Sequence, residues 1–171
     1  MKKIFYFAAL AVALTSCQQQ AKIGFVDNGV VINDYQEKKD VETKYQDKEA
    51  AFRKRADSIG QAFQMEVQSK QAEAQKSSQA KAQEIMTTLQ KKQQQLQQQM
   101  QMEQQMMQQE FQTDIDSVIN RVKAFVKDYG KNNGYTYILG TSEAAATVMY
   151  GSEEDDLTKT ITDALNEAYK K

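Results

Sequence analysis

Proline, histidine and tryptophan are all absent from this chain of 171 residues, and cysteine occurs once, at position 17. Without proline, no position combines a fixed φ with a missing amide hydrogen, so nothing obligatory breaks a helix. Without histidine, the chain lacks the usual proton shuttle near neutral pH and the usual imidazole metal ligand. No serine or threonine has an imidazole to activate it, and a lone cysteine excludes a disulfide within the chain. Glycine is sparse too: of seven, only Gly60 lies between Gln36 and Tyr129. Gly24 and Gly29 do not form a phosphate-binding fingerprint. These absences argue against an enzyme, a metal and a cofactor, and no nucleic acid partner is expected.

What is present is a helical stretch of about 95 residues with nothing to interrupt it. Its apolar residues recur every eleven positions: Val30, Val41, Phe52, Phe63 and Ala74 form one row, with Tyr45, Ala56 and Val67 four residues along. The second half repeats the pattern with Ile85, Leu96, Met107, Val118 and Tyr129, accompanied by Leu89, Met100, Phe111 and Val122. Eleven residues in three turns is about 3.67 per turn, slightly above the natural helix. Such helices pair almost straight or with a faint right-handed coil.

A reversal near Ser77 and Ser78, within positions 77–80, folds this stretch into an antiparallel hairpin whose rows meet. Val67 then faces Leu89, Ala56 faces Met100, Tyr45 faces Phe111, Phe63 faces Leu96, Phe52 faces Met107 and Val41 faces Val118. The repeat also admits registers in which the turn moves by about five or six residues. The serine pair, within the Ala-rich tract holding Ala72, Ala74, Ala80 and Ala82, selects this one. Each arm, of about 45 residues, would reach on the order of 65 Å. A single unbroken helix of roughly 140 Å in a parallel bundle keeps the same seam.

The amino end reads as a targeting segment. Lys2 and Lys3 precede the apolar run Ile4 to Leu14, and Leu14-Thr15-Ser16-Cys17 follows. The run is too short to span a membrane as a helix of about 20 residues. Residues 1–16 are expected to be a removable signal peptide. Leu-Thr-Ser-Cys resembles the bacterial lipobox, which implies a diacylglycerol on Cys17 and a lipidated tether over 17–21, the membrane being held through that lipid. Gln18 is not the aspartate that marks retention in the inner membrane of enteric bacteria, so by that rule the outer membrane is favoured.

The remaining segments, 22–35 and 130–171, are expected to form one small discontinuous β body. Lys22 to Asp27 reads as a strand closed by a turn at Asp27-Asn28-Gly29, and Asn33 or Asp34 as the cap of the first arm. The second arm is expected to stop at Tyr129-Gly130. Asn132-Asn133-Gly134 reads as a turn, Tyr135 to Leu139 and Thr147 to Tyr150 as strands, and Asp155 to Tyr169 as a final helix. Carboxylates from Glu153 to Asp156 suit the positive end of that helix better than a metal site. With so little core of its own, the body should be covered by other copies of the chain.

Two surface features stand out. From Arg53 to Lys92, eight basic residues (Arg53, Lys54, Arg55, Lys70, Lys76, Lys81, Lys91, Lys92) stand against four acidic ones, a basic tip on an otherwise acidic molecule. This either attracts anionic partners or keeps a long helix soluble. Met65, Met102 and Met106 lie off the seam as candidate contacts for varied partners, or as incidental exposures. Lys91 to Gln109 holds eleven glutamines yet keeps Leu96, Met100 and Met107 on the seam, so it reads as a solvated helix face.

The order strand, long charged hairpin, strand, strand, helix resembles the OmpH/Skp family of periplasmic chaperones. The likeness is closest at Lys22-Ile23-Gly24-Phe25-Val26-Asp27, at Asn133 to Leu139, and at Val148-Met149-Tyr150 with Asp156 to Ile161. It implies an α+β fold in which a long helical hairpin projects from a small β body with a C-terminal helix. It further implies a homotrimer whose three hairpins surround a cavity, holding unfolded outer-membrane proteins without ATP in the periplasm. The soluble members are basic and lack a lipid anchor, whereas this mature chain is mildly acidic. A structural coiled-coil lipoprotein that spaces the envelope is the alternative from another class.

Overall fold

The computed structural model describes residues 21–170, so Cys17 and the signal segment lie outside the described residues. Strand β1 (Ile23–Asp27) leads into a short helix α1 (Asn28–Asp34) and then the first arm, α2 (Gln36–Gln75). The second arm, α3 (Gln79–Asn132), returns to strand β2 (Tyr137–Thr141). A 3-10 turn (Glu153–Asp155) and helix α4 (Thr158–Tyr169) complete the chain. The arms contain 40 and 54 residues, lengths of about 60 and 80 Å. The chain reverses over Lys76, Ser77 and Ser78 without a glycine: Ser77 donates its hydroxyl to the Glu73 carbonyl, and Ser78 lies in an extended conformation that starts α3.

The two arms are locked by ion pairs as well as apolar rows. Lys44–Asp114 (2.8 Å), Lys48–Glu110 (2.7 Å), Arg121–Glu37 (2.6 Å), Arg55–Glu103 and Lys92–Glu66 all cross the seam. In every one of these pairs the two residue numbers add to the same total, which defines a single antiparallel register without slippage. Three of the pairs repeat every eleven residues: Lys44, Arg55 and Glu66 on α2 meet Asp114, Glu103 and Lys92 on α3. The helical repeat therefore organises charge as well as hydrophobicity: the three repeating pairs flank the row of Tyr45, Ala56 and Val67, and Lys48–Glu110 occupies a turn where the apolar rows leave a gap.

The body core is one cluster of Val26, Val31, Tyr35, Val118, Val122, Leu157, Ile161 and Leu165, drawn from β1, α1, α3 and α4 together with Tyr35 between α1 and α2 and Leu157 before α4. β1 and β2 pair in parallel, Ile23 against Tyr137 through Asp27 against Thr141. On its other edge β1 is held by a bridge from Phe25 to Asp156 and by the Leu157 amide donating to the Phe25 carbonyl (2.8 Å). Gly24 is needed here, because a Cβ would lie 2.6 Å from Leu157 Cδ1.

Several expectations for the body are corrected. Asp27-Asn28-Gly29 is not a turn: Asp27 caps α1, its carboxylate accepting from the Val30 amide (3.0 Å). Neither Asn33 nor Asp34 caps the first arm. Both belong to α1, and the Gln36 amide is instead satisfied by the side chain of Asn166 on α4 (2.7 Å), which also donates to the Asp34 carbonyl. α3 runs through Gly130 to Asn132. Gly130 is buried close to Ile138, and the turn falls at Gly134 with φ 70°. β2 begins two residues later than expected because Tyr135 donates its amide to the Gly130 carbonyl (2.9 Å) and so finishes the helix. Thr147 to Tyr150 is no strand in this chain. Both edges of β1 are occupied, and Met149 and Tyr150 are 88% and 90% exposed. The acidic run precedes α4 instead of opening it, since Leu157 is committed to the Phe25 carbonyl; only Asp156 reaches back, accepting from the Thr158 amide (2.8 Å).

Candidate functional site

The arms carry the surface that distinguishes this molecule. Of the predicted seam, Tyr45, Leu89 and Val118 are buried, while Val41, Phe52, Ala56, Phe63, Val67, Leu96, Met100, Met107 and Phe111 are half-buried. Two helices cannot enclose one another, so each seam residue keeps a flank in solvent. Tyr45 and Phe111 meet edge to face, ring centres 5.1 Å apart, and the Tyr45 hydroxyl donates to Asp114 (3.0 Å). Lys44 and then Tyr45, both donating to it, hold the Asp114 carboxyl below the usual range; burial and then Asp114 push the Tyr45 phenol up.

Between that aromatic layer and the next lies a turn without apolar filler, occupied by Lys48 and Glu110. The arms consequently leave clefts beside the seam. One, of about 500 Å³, is lined by Tyr45, Phe52, Met107 and Phe111 under a rim including Glu42, Glu49 and Arg53. Another, of about 400 Å³, is lined by Ala51, Phe52, Met106 and Met107, with Lys48, Arg55, Glu103 and Glu110 around them. Phe52 and Met107 are thus reachable by two routes. The repeat locates these residues on the seam but says nothing of the clefts. The missing apolar residue between Tyr45 and Phe52 is the signal that could have found them.

The off-seam methionines Met65, Met102 and Met106 are exposed (66%, 60% and 51%), and so is Met86 (45%), which the repeat does not single out. Of these, Met106 alone lines one of the two clefts just described, the one bordered by Ala51, Phe52 and Met107. The basic tip is largely paired. Arg53 meets Glu49, Arg55 meets Glu103, Lys70 meets Glu73, Lys81 meets Glu84 and Lys92 meets Glu66. Lys54, Lys76 and Lys91 have no carboxylate partner among the described residues. Among these residues, too, no cluster of three or more ligating side chains could hold a metal ion, and no helix is long and apolar enough to cross a membrane.

Comparison with known proteins accords with this architecture. The family described as outer membrane protein (OmpH-like) matches residues 22–165, and a prokaryotic membrane lipoprotein lipid attachment site matches residues 1–18. None of the curated proteins searched matches the chain. A crystal structure from Caulobacter crescentus, described as a candidate outer membrane chaperone (OmpH-like), superposes with a TM-score of 0.74 at 15% identity, covering 86% of this chain and 85% of that one. At that identity the likeness establishes the fold. With the matched segment spanning β1, both arms and most of α4, the chain belongs to the OmpH-like outer membrane protein family.

Proposed function

We propose that this protein is an ATP-independent holdase of the cell envelope, anchored by lipid on Cys17, that keeps unfolded outer-membrane β-barrel proteins from aggregating. The observation that carries the reading is the pair of clefts on the arms, floored by Phe52 and Met107 and accompanied by exposed methionines along the same rods. An unfolded β-barrel strand alternates apolar and polar side chains. Shallow clefts with flexible methionine walls and charged rims accept such side chains one at a time, weakly and without fixed sequence.

The working unit is a trimer, with the three bodies packed together and the three hairpins around a shared space. Val30, Leu139, Met149 and Tyr150 are exposed apolar side chains of the body that neighbouring copies would cover. β2 also keeps a free edge, and Thr147 to Tyr150 is a β-prone segment without a partner inside its own chain. Neighbouring copies supply both. Many weak contacts distributed over three arms then act together on one client.

The test uses the soluble Cys17→Ala chain, diluting a denatured porin into it without nucleotide. Suppression of light scattering at about one trimer per porin is expected. Continued aggregation at several-fold excess of trimer would overturn the proposal. A structural spacer would leave scattering unchanged, while shortening both arms equally around Ser77 and Ser78 would alter envelope geometry.

A further inference from the structure

We infer that the end of the body farthest from the hairpin tip is a membrane-facing base, so that the molecule stands on its bilayer with the arms directed away. The inference rests on the reading of Cys17 as acylated and is independent of what the arms bind. The chain is fixed from Lys22 onward. Its carbonyl accepts from the Thr136 amide (2.7 Å), its ammonium donates to the Asn133 carbonyl (3.0 Å), and that ammonium lies 4.0 Å from the centre of the Tyr135 ring. Lys22 is five residue steps beyond Cys17, a covalent reach of at most about 18 Å. Asn133 adjoins the last turn of α3, and the tip lies at the other end of that 54-residue helix, about 80 Å away. The lipid therefore emerges at the base.

The surface around that exit suits anionic headgroups. Lys123, Lys127 and Lys131 are four residues apart on the exposed face of the last turns of α3, and Lys22 adjoins the helix end. Among the described residues none of the four has a carboxylate partner, whereas Lys44, Lys48, Arg55 and Lys92 on the arm flanks are all paired. The helix dipole would account for a lysine in the final turn only; the row extends two turns further back. Ile23 and Tyr137, register partners where the sheet begins, are 45% and 60% exposed and add an apolar and an aromatic side chain of the kind found at bilayer interfaces.

Two measurements test this. In the first, acylated full-length chain carrying Asn132→Cys at the base or Ser78→Cys at the tip is labelled with a fluorophore on the introduced thiol. It is then reconstituted in phosphatidylethanolamine and phosphatidylglycerol vesicles bearing headgroup nitroxides. Strong quenching of the base label and none of the tip label is expected, while equal or reversed quenching overturns the orientation. Mass determination finding no lipid on Cys17 overturns anchoring and the orientation with it, leaving the porin assay on the soluble chain unaffected. In the second, soluble Cys17→Ala chain is floated with phosphatidylglycerol vesicles. Lys123→Gln/Lys127→Gln/Lys131→Gln should weaken binding on the order of tenfold or more, and Lys54→Gln/Lys76→Gln/Lys91→Gln less than about twofold. The reverse ranking, or no loss at the base, refutes the base as a lipid surface.

Discussion

Arg121 of the second arm donates to the Glu37 carboxylate of the first at 2.6 Å, where the hairpin leaves the body. Glu37 is buried and its other carboxylate oxygen has no hydrogen-bond partner, so the guanidinium is what makes this charge tolerable among Tyr35 and its neighbours. Burial and the Glu37 carboxylate together raise the Tyr35 phenol well above its ordinary range, keeping that ring neutral against Tyr169. Arg121→Gln should cost about 1–3 kcal/mol, because it leaves a buried carboxylate unpaired. Urea unfolding at unchanged m-value measures this; a shift below about 0.5 kcal/mol would show that the pair is dispensable.

Two glycines should respond in opposite directions. Gly24→Ala drives a methyl into Leu157 and Tyr135 between sheet and helix, a loss of about 1–3 kcal/mol. Gly60→Ala, in mid-helix with nothing within 4 Å of the new methyl, should gain about 0.5–1 kcal/mol. Thermal melts of both variants decide the matter. A stable Gly24→Ala body would mean that Leu157 does not lie against β1.

The middle of the hairpin should weaken in acid. Asp114 is held below its ordinary pKa by Lys44 and Tyr45. A depressed carboxylate stabilises the fold above its unfolded pKa of about 3.9 and ceases to as pH falls through the lower folded value. Asp114→Asn should therefore lower the melting temperature by a constant amount above about pH 5, with the difference closing towards pH 3. Since the carboxylate is partly exposed, the effect stays under about 1 kcal/mol. A difference that does not narrow at all as pH falls below about 4 would assign the loss to packing instead.

Replacing Met65, Met102 and Met106 together by glutamine preserves helix propensity while removing exposed, flexible apolar contacts. The triple variant should keep its circular dichroism and its oligomeric state, and require about tenfold more protein to suppress porin aggregation. Undiminished suppression would confine client contact to the cleft lined by Tyr45, Phe52, Met107 and Phe111.

How far the sequence speaks depends on whether a contact is repeated or singular. The hairpin is legible because Phe52, Phe63, Leu96 and Met107 recur with one period. The ion pairs carry the same period in the charges at 44, 55, 66 and at 92, 103, 114. The body is less legible because its contacts are made once and over long sequence distances. The cap of the first arm is Asn166, some 130 residues from Gln36. Leu157 delays the last helix because it answers Phe25. The stretch from Thr147 to Tyr150 has strand composition, but composition cannot supply a neighbour. The clefts follow from an absence, one missing apolar turn, which a search for recurring hydrophobic residues passes over.

Parallel pairing of β1 with β2 joins two ends of the chain separated by both arms. The rods need only contacts with their own near neighbours and can zip from the bend at Ser77 as soon as they emerge. A chain delivered amino end first through a secretion channel thus finishes its rods while its foundation still gapes. The twelve residues of α4 are the latch, seating Asn166 on Gln36 and Ile161 in the core at the last moment. A chain truncated before them would lose Asn166 from Gln36 and Ile161 from the core, leaving finished rods above an unclosed foundation.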